Sequence, residues 1–123
     1  MRDLVEEKQC MPILLRLAWH DAGTYNQDAA HAGAWPAGNG AVGTIRLDKE
    51  KTAGPNAGLD KALGYLEPIK AAHPLVSWAD LIQMGGAIGV EAAGGPKIDM
   101  IYGRIDAPAT PAGAEPPFGL PDA

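Results

Sequence analysis

Three side chains in the string PILLRLAWHDAG, residues 12–23, are of types that could move a proton together. His20 can gain and lose a proton near neutral pH, which suits general acid–base work. Arg16 stays charged and offers several fixed donors, which suits it to stabilising negative charge as it develops. Trp19 adds a flat apolar wall and a single N–H donor. A base, a cation and a wall suit proton transfer within a small polar substrate. The same residues also fit a plainer arrangement: a core histidine bonded to a backbone carbonyl, beside an arginine whose head reaches solvent.

The element that must position them is a helix. Pro12 suits a first turn, the residues after it are good helix formers, and Gly23 is a stop. At 3.6 residues per turn Arg16, Trp19 and His20 share a face, with Pro12 one turn below. Ile13, Leu14, Leu17 and Ala18 make the helix apolar almost all round, so it is expected to be buried. A buried arginine and histidine then require a polar or anionic partner against that face.

Around this helix the chain reads as all-α. Residues 1–10 form the last turns of an amphipathic helix, with Leu4 and Val5 on its apolar side. Thr24 to Pro55 reads as one long loop, broken by Gly and Pro, with a brief extended run at VGTIRL. Its GNGAVG spacing lacks the leading strand and following helix that a phosphate-binding loop needs. A helix follows from Ala57 to Ala72, with Leu59, Leu63, Leu66 and Ile69 on its apolar side and Pro68 expected to kink or end it. Asn56, just before it, fits an N-cap. Ser77 begins a last helix, with Asp80 at the third position. Gly85, Gly86 and Gly89 weaken that helix unless close packing requires them, and Trp78 and Met84 are assigned to the core. The remainder, from Gly94, is loop. His31 and His73 have no companions and are read as surface residues.

The 123 residues fit one small domain, and a net charge of −5 without blocks argues against nucleic-acid or membrane-surface partners. No run is long enough to span a membrane, and the N-terminus lacks an apolar signal-peptide core. The lone Cys10 excludes an internal disulfide and fits a reducing compartment.

The longer string RLAWHDAGTY resembles the distal helix of the class I haem peroxidases, and ascorbate peroxidases most of all. The resemblance extends to PNAGLD, and the WP pair at Trp35–Pro36 with GGPKI and YGRxD is similar to the chloroplast type. It implies the helical haem-peroxidase fold, with residues 1–123 forming its N-terminal, distal half. It also implies haem b (iron-protoporphyrin IX) as cofactor and reduction of hydrogen peroxide to water with ascorbate as electron donor. Arg16, Trp19 and His20 would stand on the peroxide side of the iron, and Asn56 would orient His20 through its side-chain carbonyl. Glu50 matches a glutamate of the same network. Pro12, Arg16, Trp19, Pro121 and Ala123 would contact the cofactor, and Lys8 would contact ascorbate. Gly119 departs from the family's usual arginine before the leucine of LPDA.

Neither His31 nor His73 matches the family's iron-binding histidine, so the metal ligand is expected beyond the C-terminus and residues 1–123 alone are expected to be inactive. The resemblance further implies a chloroplast location, with the cytosol as the alternative, and leaves a homodimer open. A cytochrome c peroxidase-type enzyme shares Arg16, Trp19 and His20, although Asp21 and Lys8 favour ascorbate. A truncated, non-catalytic helical module is the reading from another class.

Overall fold

The computed structural model describes residues 1–110 and 120–121. Among these it forms α1 (Arg2–Lys8), α2 (Met11–Ala22), α3 (Gln27–Ala32), α4 (Asp48–Lys51), α5 (Leu59–Ala72) and α6 (Trp78–Ala92). Short 3-10 turns occupy Thr44–Arg46 and Gly54–Asn56, and the described residues contain no strand. The fold is all-α, as expected. None of these helices is long and apolar enough to cross a membrane.

The central pairing is α2 on α6, with α5 and α1 packed beside it. Val5, Leu14, Leu17, Leu59, Leu63, Leu66, Leu81 and Ile82 fill the shared core. The small residues of α6 explain how closely it meets α2. A Cβ on Gly86 would lie 2.6 Å from the Ala18 Cβ, and one on Gly89 would lie 3.0 Å from the Met11 carbonyl oxygen. Glycine therefore lets the two backbones approach where any side chain would hold them apart.

The start of α6 is held twice over. Ser77 Oγ accepts from the Asp80 N–H at 3.0 Å, and the Asp106 carboxylate accepts from the N–H groups of Trp78 and Ala79 at 2.9 and 2.8 Å. These bonds take up donors that a helix N-terminus leaves unpaired. Asp80 returns the contact by accepting from the N–H groups of Gly103 and Arg104 and from the Arg104 guanidinium. Burial alone would raise the Asp80 carboxyl, but the Gly103 N–H and the Arg104 donors hold it below its ordinary value. Two aspartates thus clasp the loop at Gly103–Asp106 to the helix.

Several expectations are corrected. Helix α2 is not buried all round: Pro12 is exposed, and Leu15 and Trp19 remain 48% and 52% exposed. The stretch from Thr24 to Pro55 is not a single loop. It contains α3, α4, the Thr44–Arg46 turn and the start of the Gly54–Asn56 turn, so the VGTIRL run is coiled at Thr44–Arg46 rather than extended. His31 is exposed as read, but it lies in α3. Helix α5 begins at Leu59 with Gly58 as its N-cap, so Asn56 does not cap it. Pro68 does not end α5, which continues to Ala72; the proline costs one backbone bond, while packing of Leu59, Leu63 and Leu66 holds the helix. Met84 is half-buried outside the core cluster, whereas Trp78 packs against it.

Candidate active site

Both polar side chains of α2 are gripped by one turn of chain. Arg16 Nη2 donates to the Pro55 carbonyl at 2.8 Å, and Nη1 donates to the Ala57 carbonyl at 3.0 Å. Between these two residues, Asn56 Oδ1 lies 2.7 Å from His20 Nδ1. Three consecutive residues, 39 to 41 positions from Arg16 in sequence, therefore fix the guanidinium and the imidazole together. The plainer arrangement does not hold for His20, which meets a side-chain amide, while Arg16 is partly exposed and tied to backbone carbonyls.

The hydrogen-bond network dictates the histidine tautomer. Asn56 Nδ2 donates to the Glu50 carbonyl at 2.7 Å, which turns its Oδ1 towards the imidazole. Flipping the amide would bring two carbonyl oxygens together. An amide oxygen can only accept, so Nδ1 carries a proton, and in the neutral ring the lone pair lies on Nε2. The described residues give Nε2 no hydrogen-bond partner. His20 is 2% exposed and Asn56 fully buried, so water does not compete for their bond. The Trp19 ring stands edge-on to the imidazole, 4.8 Å between centroids and 88° between planes.

Behind this pair lies a buried acidic layer that the sequence signalled only in part. Asp21 is fully buried and accepts from the N–H groups of Gly43 and Ile45 at 3.1 and 3.3 Å. Its carboxylate thereby ties the end of α2 to the turn that leads towards Glu50 and Asn56. Burial pushes the Asp21 carboxyl up to about 7, against the pull of those two N–H groups. Glu50 contributes its backbone carbonyl to the Asn56 amide. Its carboxylate is fully buried, and burial pushes that carboxyl up as well, against the opposing pull of the Thr44 and Thr110 hydroxyls. No local pattern announces the Asp21 role, because its partners lie 22 and 24 residues away. The Gly43 N–H is consequently spent on Asp21, which leaves GNGAVG without phosphate-binding capacity there.

The other sequence-derived positions are distributed around α2. Lys8 closes α1, is exposed, and lines a cleft of about 320 Å³ with Gln9, Cys10, Pro12 and Ile13. Cys10 is buried and its thiol is pushed up by that burial, which makes it a poor nucleophile. Leu120 is buried in contact with Ala53, its Cδ2 reaching to where a Cβ on Gly23 would stand, and Pro121 beside it is exposed. Ala123 and Gly119 lie outside the described residues. His73 is exposed, and the described residues contain no cluster of His, Cys, Asp and Glu able to hold a metal ion.

The chain is similar to known proteins along its whole length. The family model described as Peroxidase matches residues 1–122. The probable L-ascorbate peroxidase 7, chloroplastic, of Oryza sativa subsp. japonica is 47% identical over 123 residues, covering 100% of this chain and 33% of that protein. The L-ascorbate peroxidase T, chloroplastic, of Arabidopsis thaliana is 48% identical over 103 residues, covering 84% and 24%. The L-ascorbate peroxidase 5, peroxisomal, of Arabidopsis thaliana is 45% identical over 116 residues, covering 94% and 39%. The chain thus spans about a quarter to two-fifths of the length of these curated relatives. With a family match over nearly every residue, the chain belongs to the peroxidase family.

Proposed function

We propose that this chain forms the peroxide-activating half of a haem peroxidase that reduces hydrogen peroxide to water with ascorbate as electron donor. The observation that carries the reading is the joint fixing of Arg16 and His20 by Pro55–Ala57, with the His20 Nε2 lone pair left for a substrate. Similarity to chloroplastic L-ascorbate peroxidases supports the donor and a chloroplast location. A homodimer is compatible with this reading.

The residues present fit the peroxide-side face of haem b. Pro12, Leu15, Arg16 and Trp19 recur at helical spacing along α2, and the two largest apolar members stay about half exposed. An apolar stripe of this kind, edged by a guanidinium and a histidine, suits a flat apolar ring. Pro12, Arg16 and Trp19 would hold that face, with Pro121 and Ala123 at its margin and the iron-binding histidine outside residues 1–123. When bound, the haem supplies the redox centre that donates electrons to the peroxide O–O bond.

The chain's own residues handle the protons. His20 Nε2 accepts the proton of the hydroperoxide and returns it to the departing oxygen, and the Asn56 amide holds the tautomer that makes this possible. Arg16 stabilises the negative charge that grows on the departing oxygen, without exchanging a proton of its own. Trp19 has only an N–H donor and serves as a wall.

The donor distinguishes this reading from the cytochrome c peroxidase alternative. In the complete enzyme, peroxide-dependent oxidation of ascorbate is expected to outrun that of ferrocytochrome c. Lys8→Ala is expected to impair ascorbate turnover far more than turnover of a small neutral phenol. Preferred oxidation of ferrocytochrome c, or equal losses with ascorbate and phenol, would reject ascorbate as the donor held at Lys8.

A further inference from the structure

The cleft that Lys8 lines has two walls of different origin. The end of α1, the start of α2 and the two residues between them supply Lys8, Gln9, Cys10, Pro12 and Ile13, while α5 supplies Lys61 and Tyr65. Lys61 and Tyr65 are four residues apart on α5 and so present to the same side of that helix. Two lysines therefore border one cleft of about 320 Å³, and no acidic residue is among those that line it. This local excess of positive charge runs against the chain's net charge of −5.

Neither cation is held in a close ion pair among the described residues. Lys8 meets Glu7 only at 3.9 Å, with both side chains well exposed, a pairing that contributes little and exchanges readily with solvent. Lys61 has no ion-pair partner among the described residues. Tyr65 packs its ring against the core and brings a phenol that can donate or accept a hydrogen bond at the cleft. The size of the cleft suits one small molecule, and its chemistry suits an anion that also carries hydroxyl groups.

We propose that Lys61 and Tyr65 form the second wall of the electron-donor site, selecting a small hydroxylated anion over a neutral phenol. Lys61 adds a second cation to that of Lys8, and the Tyr65 phenol pairs with a donor hydroxyl. This inference rests on the reading that Lys8 meets ascorbate, and the two are separated by the following experiment.

Ascorbate is titrated calorimetrically into the complete enzyme and its Lys61→Gln, Lys61→Arg, Tyr65→Phe and Lys8→Gln variants, at low and high salt. Steady-state KM and kcat are measured in parallel with ascorbate and with guaiacol. Lys61→Gln is expected to weaken ascorbate binding about three- to tenfold at low salt, as befits one exposed charge. The loss falls on KM rather than kcat, shrinks at high salt, is mostly restored in Lys61→Arg, and is absent with guaiacol. Tyr65→Phe loses about threefold for ascorbate, with little salt dependence. If Lys8→Gln weakens ascorbate binding while Lys61→Gln and Tyr65→Phe bind it as the wild type does, the second wall is refuted and the Lys8 reading stands. If neither Lys8→Gln nor Lys61→Gln changes ascorbate affinity, the donor binds elsewhere and both are overturned. Equal losses with guaiacol would likewise refute charge selection.

Discussion

His20 depends on Asn56 for more than position. With the amide oxygen accepting from Nδ1–H, the neutral imidazole is held in the tautomer whose Nε2 lone pair can accept a proton. Asn56→Asp sets a carboxylate beside the ring and favours the imidazolium, so the pH below which the peroxide reaction falls off should rise by about one unit or more. Asn56→Val removes the acceptor and should shift that fall-off the other way, with a rate loss of about tenfold or more as the tautomer is released. Identical pH–rate profiles for the wild type and both variants would make Asn56 a packing residue only. Asp21 carries a separate pH signature. Its carboxyl, pushed by burial from an ordinary value near 3.8 to about 7, binds its proton more tightly in the native state. Stability from this group is therefore full below about pH 4 and is lost as pH rises through about 7. Asp21→Asn should flatten the decline in urea midpoint between pH 5 and pH 8. The flattening is partial, because Glu50 is shifted in the same direction. An unchanged slope in the variant would contradict this role. Of these residues, Arg16, Trp19, His20 and Asn56 could be nominated from the sequence, because local strings carry them. The anchoring by Asp21 could not, since an aspartate beside a histidine says nothing about N–H groups more than twenty residues away.

Helix α6 meets α2 through glycine, and this contact positions everything above it. Gly86→Ala would bring its Cβ against that of Ala18, two rigid atoms that can separate only if the helices do. Overpacking of this kind costs about 1–3 kcal/mol, which outweighs the gain of up to about 1 kcal/mol in helix propensity. Gly64→Ala on α5 has open space around its Cβ and should be stabilising by about 0.5–1 kcal/mol. Urea denaturation of the two variants checks the contrast, and a stabilised Gly86→Ala would show that α2 and α6 are not in rigid contact. At this scale the long helices were legible, because apolar spacing and the Ser77 cap mark them. The short ones were not. Asn26 caps α3 by accepting from the Ala29 N–H, a signal present in NQDAAHA but masked by the Gly- and Pro-rich residues that follow. Helix α4 is a single turn with no apolar periodicity to betray it. The burial expected of α2 failed for a different reason: apolar residues all round a helix mark surface to be covered, and Leu15 and Trp19 lie on a side that no described residue covers fully.

For the whole molecule, the proposed function joins three observations: an apolar α2 stripe, a base and a cation fixed by one turn, and peroxidase similarity over a chain a quarter to two-fifths as long as its relatives. Its central claim is that His20 moves the peroxide proton. Stopped-flow measurement of the reaction of the complete enzyme with hydrogen peroxide tests this most directly. His20→Ala is expected to lower the bimolecular rate about 10²–10⁴-fold while haem content stays at the wild-type level. Arg16→Leu should lower it less, and the double variant should lose less than the product of the two factors, because both groups act on one transition state. A His20→Ala enzyme that keeps its haem and reacts with peroxide at the wild-type rate would contradict the account.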